Sequence, residues 1–243
     1  MTVNAIDIVE VSKRFGPTTV LDRVNLLVQN GSFFGLVGGN GAGKTTLVKA
    51  VLNLNRPDQG TIHIQGIAAH EVAARNGIAY LPERFLPPGD LTGREFLTFM
   101  LRLHGVTPRL EIMAETLLSL DMNPDALRKP IRALSKGMTQ KLGLASCLMS
   151  TKPIWILDEP TSGLDPLARA LLKKELHKQR GKITLFINTH LLVDVAELCD
   201  AMAILHHGQL LFHGAPTECR TRFGGHSLEE SYLYAVRPQS EPP

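Results

Sequence analysis

The segment Gly38-Gly39-Asn40-Gly41-Ala42-Gly43-Lys44-Thr45 constrains this chain more than any other, because it fits G-x-x-x-x-G-K-[ST] in the context that gives the pattern meaning. The apolar run Phe33–Val37 precedes it, and Thr45–Leu54 follows, with Leu47, Val48, Val51 and Leu52 on one helical face. Strand, Gly-rich turn and helix are therefore predicted in succession. Glycines let such a loop curl until its N–H groups face one anion, and the helix amino terminus adds partial positive charge there. Lys44 is then placed to bridge β- and γ-phosphates and Thr45 to ligate Mg²⁺. An ordinary Gly-rich turn is the competing reading, and it leaves the flanking strand and helix unexplained.

The rest of the chain supplies a fold in which that unit can sit. Strands are predicted at 3–11, 24–29, 61–65, 77–81, 154–158, 183–188 and 201–206, with helices near 68–75, 166–180 and 191–198. Between about 92 and 149 the period is helical and Pro108, Pro124 and Pro130 interrupt it. Buried strands alternating with helices imply a mainly parallel sheet. The fold class expected is α/β: a P-loop NTPase core over about 1–85 and 151–215, an N-terminal antiparallel β layer, and an inserted helical lobe over about 86–150. Residues 216–243 are expected as a tail ending in Arg237–Pro243, with a short helix or unstructured chain at Ser227–Tyr234.

With 44% hydrophobic residues the chain has material for a packed core, which excludes a disordered polymer. A formal charge of +3 without a basic block gives no reason to expect direct nucleic-acid binding. Cys147, Cys199 and Cys219 are far apart and form no C-x-x-C pair, so no metal knuckle or local redox motif is expected and a reducing compartment suits them. The first residues mix charge with apolar side chains, so no secretory leader is expected, and no apolar run reaches the ~18 residues of a membrane span.

A second chemical signal is Ile154-Trp155-Ile156-Leu157-Asp158-Glu159, an apolar strand ending in two carboxylates. The carboxyl ends of strands in an open α/β sheet are where ligands bind, so Asp158 suits a metal shell and Glu159 an attacking water. Three further segments each have a plain structural reading when taken alone. Leu134-Ser135-Lys136-Gly137-Met138 opens a helix with Ser135 as cap, Ser162-Gly163-Leu164-Asp165-Pro166 is a turn into a helix, and His190 follows the strand ITLFIN.

In this order, over roughly residues 3–215, these segments resemble the ATP-binding subunit of an ABC transporter. The resemblance implies that Gly38, Gly39, Asn40, Gly41, Ala42, Gly43, Lys44, Thr45 and Thr46 are the Walker A loop binding ATP. Ile154–Glu159 resembles the Walker B strand, with Glu159 catalytic and Asp158 on Mg²⁺. Leu134–Met138 resembles the signature sequence, through which Ser135 and Gly137 meet nucleotide, Ser162–Asp165 the dimer-contact loop, and His190 the switch histidine sensing the γ-phosphate. Phe15 in Lys13-Arg14-Phe15-Gly16 matches the aromatic that stacks on adenine, with a core Phe at a strand end as the alternative.

The chain departs from the family pattern twice. Lys136 and Met138 stand in a signature that is usually L-S-G-G-Q, and Glu83 in Tyr80-Leu81-Pro82-Glu83 stands where a Gln commonly touches Mg²⁺ and water. Similar L-S-K-G-M and Y-L-P-E segments accompany exporter-type permeases, which makes export the expected direction. The partners implied are a second copy, in a head-to-tail dimer closed over ATP, and separate transmembrane permease subunits. The helical lobe and Glu83 loop, where Arg84, Arg94 and Arg102 lie, are the expected permease contact, and the cytoplasmic membrane face is the expected location. A non-transport ATPase of the same type acting on a soluble macromolecule is the main alternative; an unrelated P-loop kinase, which would lack Leu134–Met138, is a second, and a regulatory module that binds ATP without hydrolysing it, against which Glu159 and His190 argue, is a third.

Overall fold

The computed structural model describes residues 4–237. Its elements, in chain order, are β1 (Ile6–Phe15), β2 (Thr18–Val28), β3 (Phe33–Val37), α1 (Lys44–Val51), β4 (Gln59–Ile64), β5 (Ile67–Ala68), α2 (Val72–Arg75) and β6 (Ile78–Leu81). Then follow α3 (Gly93–Leu103), α4 (Leu110–Ser119), 3-10 turns at Pro124–Arg128 and Ile131–Ala133, α5 (Lys136–Leu148), β7 (Ile154–Asp158) and α6 (Pro166–His177). The chain closes with β8 (Thr184–Asn188), α7 (Leu192–Leu198), β9 (Ala201–His206), β10 (Gln209–Gly214), α8 (Pro216–Phe223) and α9 (Leu228–Val236). Most expected segments are present. The hairpin strand β2 starts six residues before the expected 24, and β10 and α8 were not foreseen. The expected tail at Arg237–Pro243 lies, after Arg237, outside the described residues.

The elements group into two compact units, Met1–Gly77 with Thr184–Pro243, and Ile78–Ile183. The first unit contains two sheets. In one, β1 pairs antiparallel with β2 and with β4, and the side chains Ile6, Ile8, Val24, Leu26 and Val28 are buried from both partners. Glu10 and Arg23 take left-handed φ of 51° and 47° where the register slips. Side chains occupy the freed donors: the Glu10 N–H donates to Asn25 Oδ1 at 3.0 Å and the Arg23 N–H to Ser12 Oγ at 2.9 Å.

In the other sheet of this unit, β3 lies parallel between β8 and β9, and β10 pairs antiparallel with β9. Every residue of β3 and of β8 is buried, the uniform pattern of a strand covered on both faces. Helix α7 reaches β3 because Gly35 carries no side chain: a Cβ there would stand 2.8 Å from Val195. The Phe33 N–H also donates to Asp200 Oδ2 at 2.8 Å, which pins the start of β3 to the turn after α7.

The second unit joins the parallel pair β6 and β7 to four helices. Thr92 begins α3 with a capping box, its Oγ accepting the Glu95 N–H at 3.2 Å while Glu95 Oε2 accepts the Thr92 N–H at 2.8 Å. Phe96, Leu97 and Leu101 on one face of α3 join Met113, Leu117, Met122, Leu127 and Ile131 in the core. Gly143 lets α5 approach β6, since a Cβ would meet Leu81 and Phe85 below 3 Å. Among the described residues no helix is long and apolar enough to cross a membrane.

Leu97→Ala is expected to destabilise the chain by about 2–5 kcal/mol, because Leu97 is fully buried and its removal leaves a cavity. Phe99→Ala, one side of the same helix away and 56% exposed, is expected to change stability by less than about 0.5 kcal/mol. Urea unfolding of the two variants separates these outcomes.

Candidate functional site

In the first unit the phosphate-loop candidate leaves the carboxyl end of β3 and enters α1. Gly38 is buried against β9, where any Cβ would overlap the Leu205 carbonyl oxygen. Gly43 caps α1 with φ 106°, and a Cβ there would stand 2.7 Å from the Val20 carbonyl oxygen of β2. Only glycine satisfies that conformation and that clearance together. The curl is closed by the Ala42 N–H on the Gly39 oxygen at 3.2 Å and held from outside by the Gly208 N–H on the Ala42 oxygen at 3.0 Å.

Lys44 is 8% exposed and its ammonium donates to the carbonyls of Gly38 at 2.8 Å and Gly39 at 3.1 Å. It therefore lies across the loop it belongs to, and there is no acidic residue in the first turn of α1. Asn40 and Gly41 are exposed, Ala42 is buried, and Thr45 and Thr46 are half-buried in that first turn. A curl of amides, a cation and hydroxyls without an opposing carboxylate on its own helix turn is suited to a polyanion.

Two other candidates belong to this unit. Leu36 of β3 is opposite Asn188 of β8, and the Thr189 N–H donates to the Leu36 oxygen at 3.1 Å. His190, exposed, thus emerges from a strand end next to the one that launches the glycine loop. Phe15 ends β1 and is 49% exposed, so it is not a core residue. The Lys13 ammonium lies 5.6 Å from its ring centre and pairs with Asp58 at 2.8 Å, which steadies the β1–β2 hairpin end.

In the second unit β7 is buried throughout and delivers Asp158, 1% exposed, and Glu159, 9% exposed. Glu159 has φ 50°, in the left-handed region that costs a non-glycine residue energy, and its carbonyl accepts the Ser162 N–H at 3.0 Å as the chain turns. Leu81 of β6 is opposite Leu157, so Pro82 and Glu83 follow beside the end of β7. Tyr80 registers this cluster: burial pushes its phenol up to about 12, and the charges of Asp158 and then Glu83 push in the same direction. Nothing local in the sequence marks Tyr80, since its relation to Asp158 arises only through strand pairing.

The signature candidate and the following turn are neighbours in this same unit. Ser135 caps α5, its Oγ accepting the Met138 N–H at 3.2 Å. A Cβ on Gly137 would stand 3.0 Å from the Gly163 oxygen, while the Lys136 stem runs 3.7–3.9 Å from the side-chain position of Gly163. Gln140 Nε2 donates to the Pro160 oxygen at 3.4 Å. Asp165 caps α6 by accepting the Ala168 N–H at 2.9 Å. The structure thus brings Gly38–Thr46 together with His190 in one unit, and Glu83, Asp158, Glu159, Ser135 and Gly137 into the other.

Thr45, Asp158 and Glu83 offer hydroxyl and carboxylate oxygens, the hard donors that magnesium accepts one or two at a time while keeping waters and phosphate oxygens. Cys147, Cys199 and Cys219 are buried, and burial pushes the Cys147 thiol up to about 12, which keeps it protonated and inert.

Comparison with known proteins gives a consistent result. Residues 21–162 match the family described as ABC transporter. The Nod factor export ATP-binding protein I of Sinorhizobium fredii is 36% identical over 217 residues, which are 87% of this chain and 63% of that protein. This chain therefore spans less than two thirds of the length of that relative. The protein of the same name from Rhizobium etli is 33% identical over 237 residues, 96% of this chain and 75% of that one. A solved structure described as the ATP binding subunit of an ABC transporter superposes with a TM-score of 0.89 at 30% identity, covering 96% of this chain and 100% of that one.

The Ala168 N–H holds the Asp165 carboxyl below its ordinary value of 3.8. The folded pKa is thus the lower of the two, so this bond stabilises fully above the ordinary carboxylate range and is lost as pH falls through the lowered value. Asp165→Asn, which keeps an accepting oxygen but does not titrate, is expected to make Tm less dependent on pH in the range below about pH 5. Thermal melts of both proteins across that range provide the check.

Proposed function

Because the chain belongs to the ABC transporter family, whose ATP-binding domain hydrolyses ATP to power transport, we propose a role for each candidate residue in that reaction. The N–H groups of Asn40, Gly41, Ala42, Gly43, Lys44, Thr45 and Thr46, led in by Gly38 and Gly39, line the phosphates, and Lys44 turns its ammonium from the loop carbonyls to the β- and γ-phosphate oxygens. Phe15, exposed at its hairpin end, supplies a face for adenine. Thr45, Asp158 and Glu83 hold Mg²⁺, which neutralises phosphate charge when bound.

Glu159 accepts the proton of the attacking water, and His190 stabilises charge on the γ-phosphate as it departs. The observation that carries this reading is the placement of Glu159: a carboxylate held 9% exposed in a left-handed turn at the end of a wholly buried strand. Such an arrangement costs stability and gives the carboxylate a fixed direction, which suits general-base work.

One chain supplies one side of the γ-phosphate, so the other is proposed to come from Ser135 and Gly137 of a second copy in a head-to-tail dimer. Closing and opening of that dimer drives separate membrane-spanning permease subunits, and the chain resides at the cytoplasmic membrane face through them. Two curated relatives are named for Nod factor export. Together with Leu134-Ser135-Lys136-Gly137-Met138 and Tyr80-Leu81-Pro82-Glu83, those names support export as the direction here.

Glu159→Gln is expected to lower phosphate release from MgATP by about a hundredfold or more while ATP still binds, and Lys44→Ala to lose binding. Fast hydrolysis by Glu159→Gln overturns the base assignment. Capture from detergent-solubilised cells with ATP-loaded Glu159→Gln is expected to recover a multi-span membrane protein, reduced with Lys44→Ala. Recovery of soluble assemblies alone overturns the transport reading while leaving the ATP chemistry standing.

A further inference from the structure

The carboxyl-terminal helix reaches the phosphate loop. Helix α9 is capped by Ser227, whose Oγ accepts the Glu230 N–H at 3.2 Å, and it packs on α7 and α8. Ser231, fully buried, donates its hydroxyl to the Gly224 oxygen at 2.6 Å and the Ser227 oxygen at 2.9 Å. These contacts fix the face of α9 that carries Tyr232. Its hydroxyl lies 3.7 Å from the position a Gly39 side chain would occupy, and beyond Gly39 and its two chain neighbours no other heavy atom of the described residues comes within 4 Å of that position. Burial raises the pKa of that phenol, and the neighbouring Gly39 N–H acts in the opposite direction.

Gly39 is unlike its glycine neighbours in the loop. Gly38 is required by the Leu205 carbonyl and Gly43 by both clearance and left-handed φ, whereas Gly39 is outside the left-handed region and a Cβ on it would meet nothing closer than the Tyr232 hydroxyl at ordinary contact distance. Nothing in its own backbone demands glycine, so its freedom loosens the loop unless something restrains it. Its carbonyl already receives the Lys44 ammonium at 3.1 Å and the Ala42 N–H at 3.2 Å. A partner for its N–H would hold the Gly39 residue at both ends.

We propose that Tyr232 is a positioning residue of the phosphate loop: its hydroxyl accepts the Gly39 N–H and fixes the loop's outer turn, so that nucleotide meets a curl already formed. This rests on the phosphate-binding reading of Gly38–Thr46. Tyr232 lies beyond residues 21–162, the stretch matched by the family, and it makes the carboxyl-terminal helix part of nucleotide affinity. Restraint before binding lowers the ordering cost of binding, which is the effect a hydroxyl at this place can have without touching the ligand.

The affinity of purified protein for MgATP, measured by displacement of a fluorescent ATP analogue, tests this, with wild type and Lys44→Ala measured first. Failure of wild type to bind, or full binding by Lys44→Ala, overturns the phosphate-loop reading separately. Where that reading holds, Tyr232→Phe is expected to raise Kd about fivefold, the effect of one net hydrogen bond, and to raise KM for ATP equally with kcat unchanged. Leu233→Ala, on the exposed side of α9, is expected to leave Kd unchanged. Gly39→Ala keeps the N–H and Gly39→Pro removes it, so Tyr232→Phe is expected to cost about fivefold on the first background and nothing on the second. A Kd for Tyr232→Phe within about twofold of wild type, or an equal loss on the Gly39→Pro background, overturns the proposal.

Discussion

The clearance at Gly38 and Gly43 is the constraint on which the first unit depends. One glycine passes under the Leu205 carbonyl of β9 and the other under the Val20 carbonyl of β2, so the loop is set by strands from both sheets of that unit. The Gly208 N–H on the Ala42 oxygen adds a third tie from the β9–β10 turn, and the Asp22 N–H on the Gly208 oxygen at 2.9 Å passes it on to β2. The curl is therefore a product of tertiary packing as much as of its own glycines. A loop held this way presents its amides without waiting for a ligand to order them.

The second unit solves a different problem, which is to keep carboxylates together near a buried strand end. Asp158 is almost wholly enclosed, and Glu83 is exposed one strand away, so their charges add at Tyr80 but are hydrated unequally. A glutamine in place of Glu83 would exert no such field on Tyr80, which makes this substitution in the family pattern an electrostatic one. The turn from Glu159 to Asp165 and the start of α5 then lie against each other through Gly137 and Gly163, two residues without side chains.

Legibility in the sequence followed physical type. The glycine loop, the acidic end of β7, the cap Ser135 and the turn of Ser162–Pro166 into a helix were readable because each is a local device: backbone freedom, an apolar run with a polar stop, a side-chain acceptor before a helix, a Gly-Pro punctuated turn. β10 was missed because Gln209 and His213 interrupt its apolar pattern, and it is a strand through pairing with β9. The early start of β2 was missed because Gly16 and Pro17 make a tight hairpin that brings Thr18 and Thr19 into register with Phe15 and Arg14. Phe15 was ambiguous between core and surface until its 49% exposure decided it. Tyr80 and Tyr232 had no local signal at all, since what each does is defined by a partner distant in sequence.

Glu159 occupies a backbone conformation that glycine or asparagine adopts with less strain. With Glu159 as the proposed base, stability and chemistry pull in opposite directions at this one residue. A descendant relieved of that role would gain folding free energy by exchanging this glutamate for glycine, and drift there would run downhill toward a sturdier, silent protein.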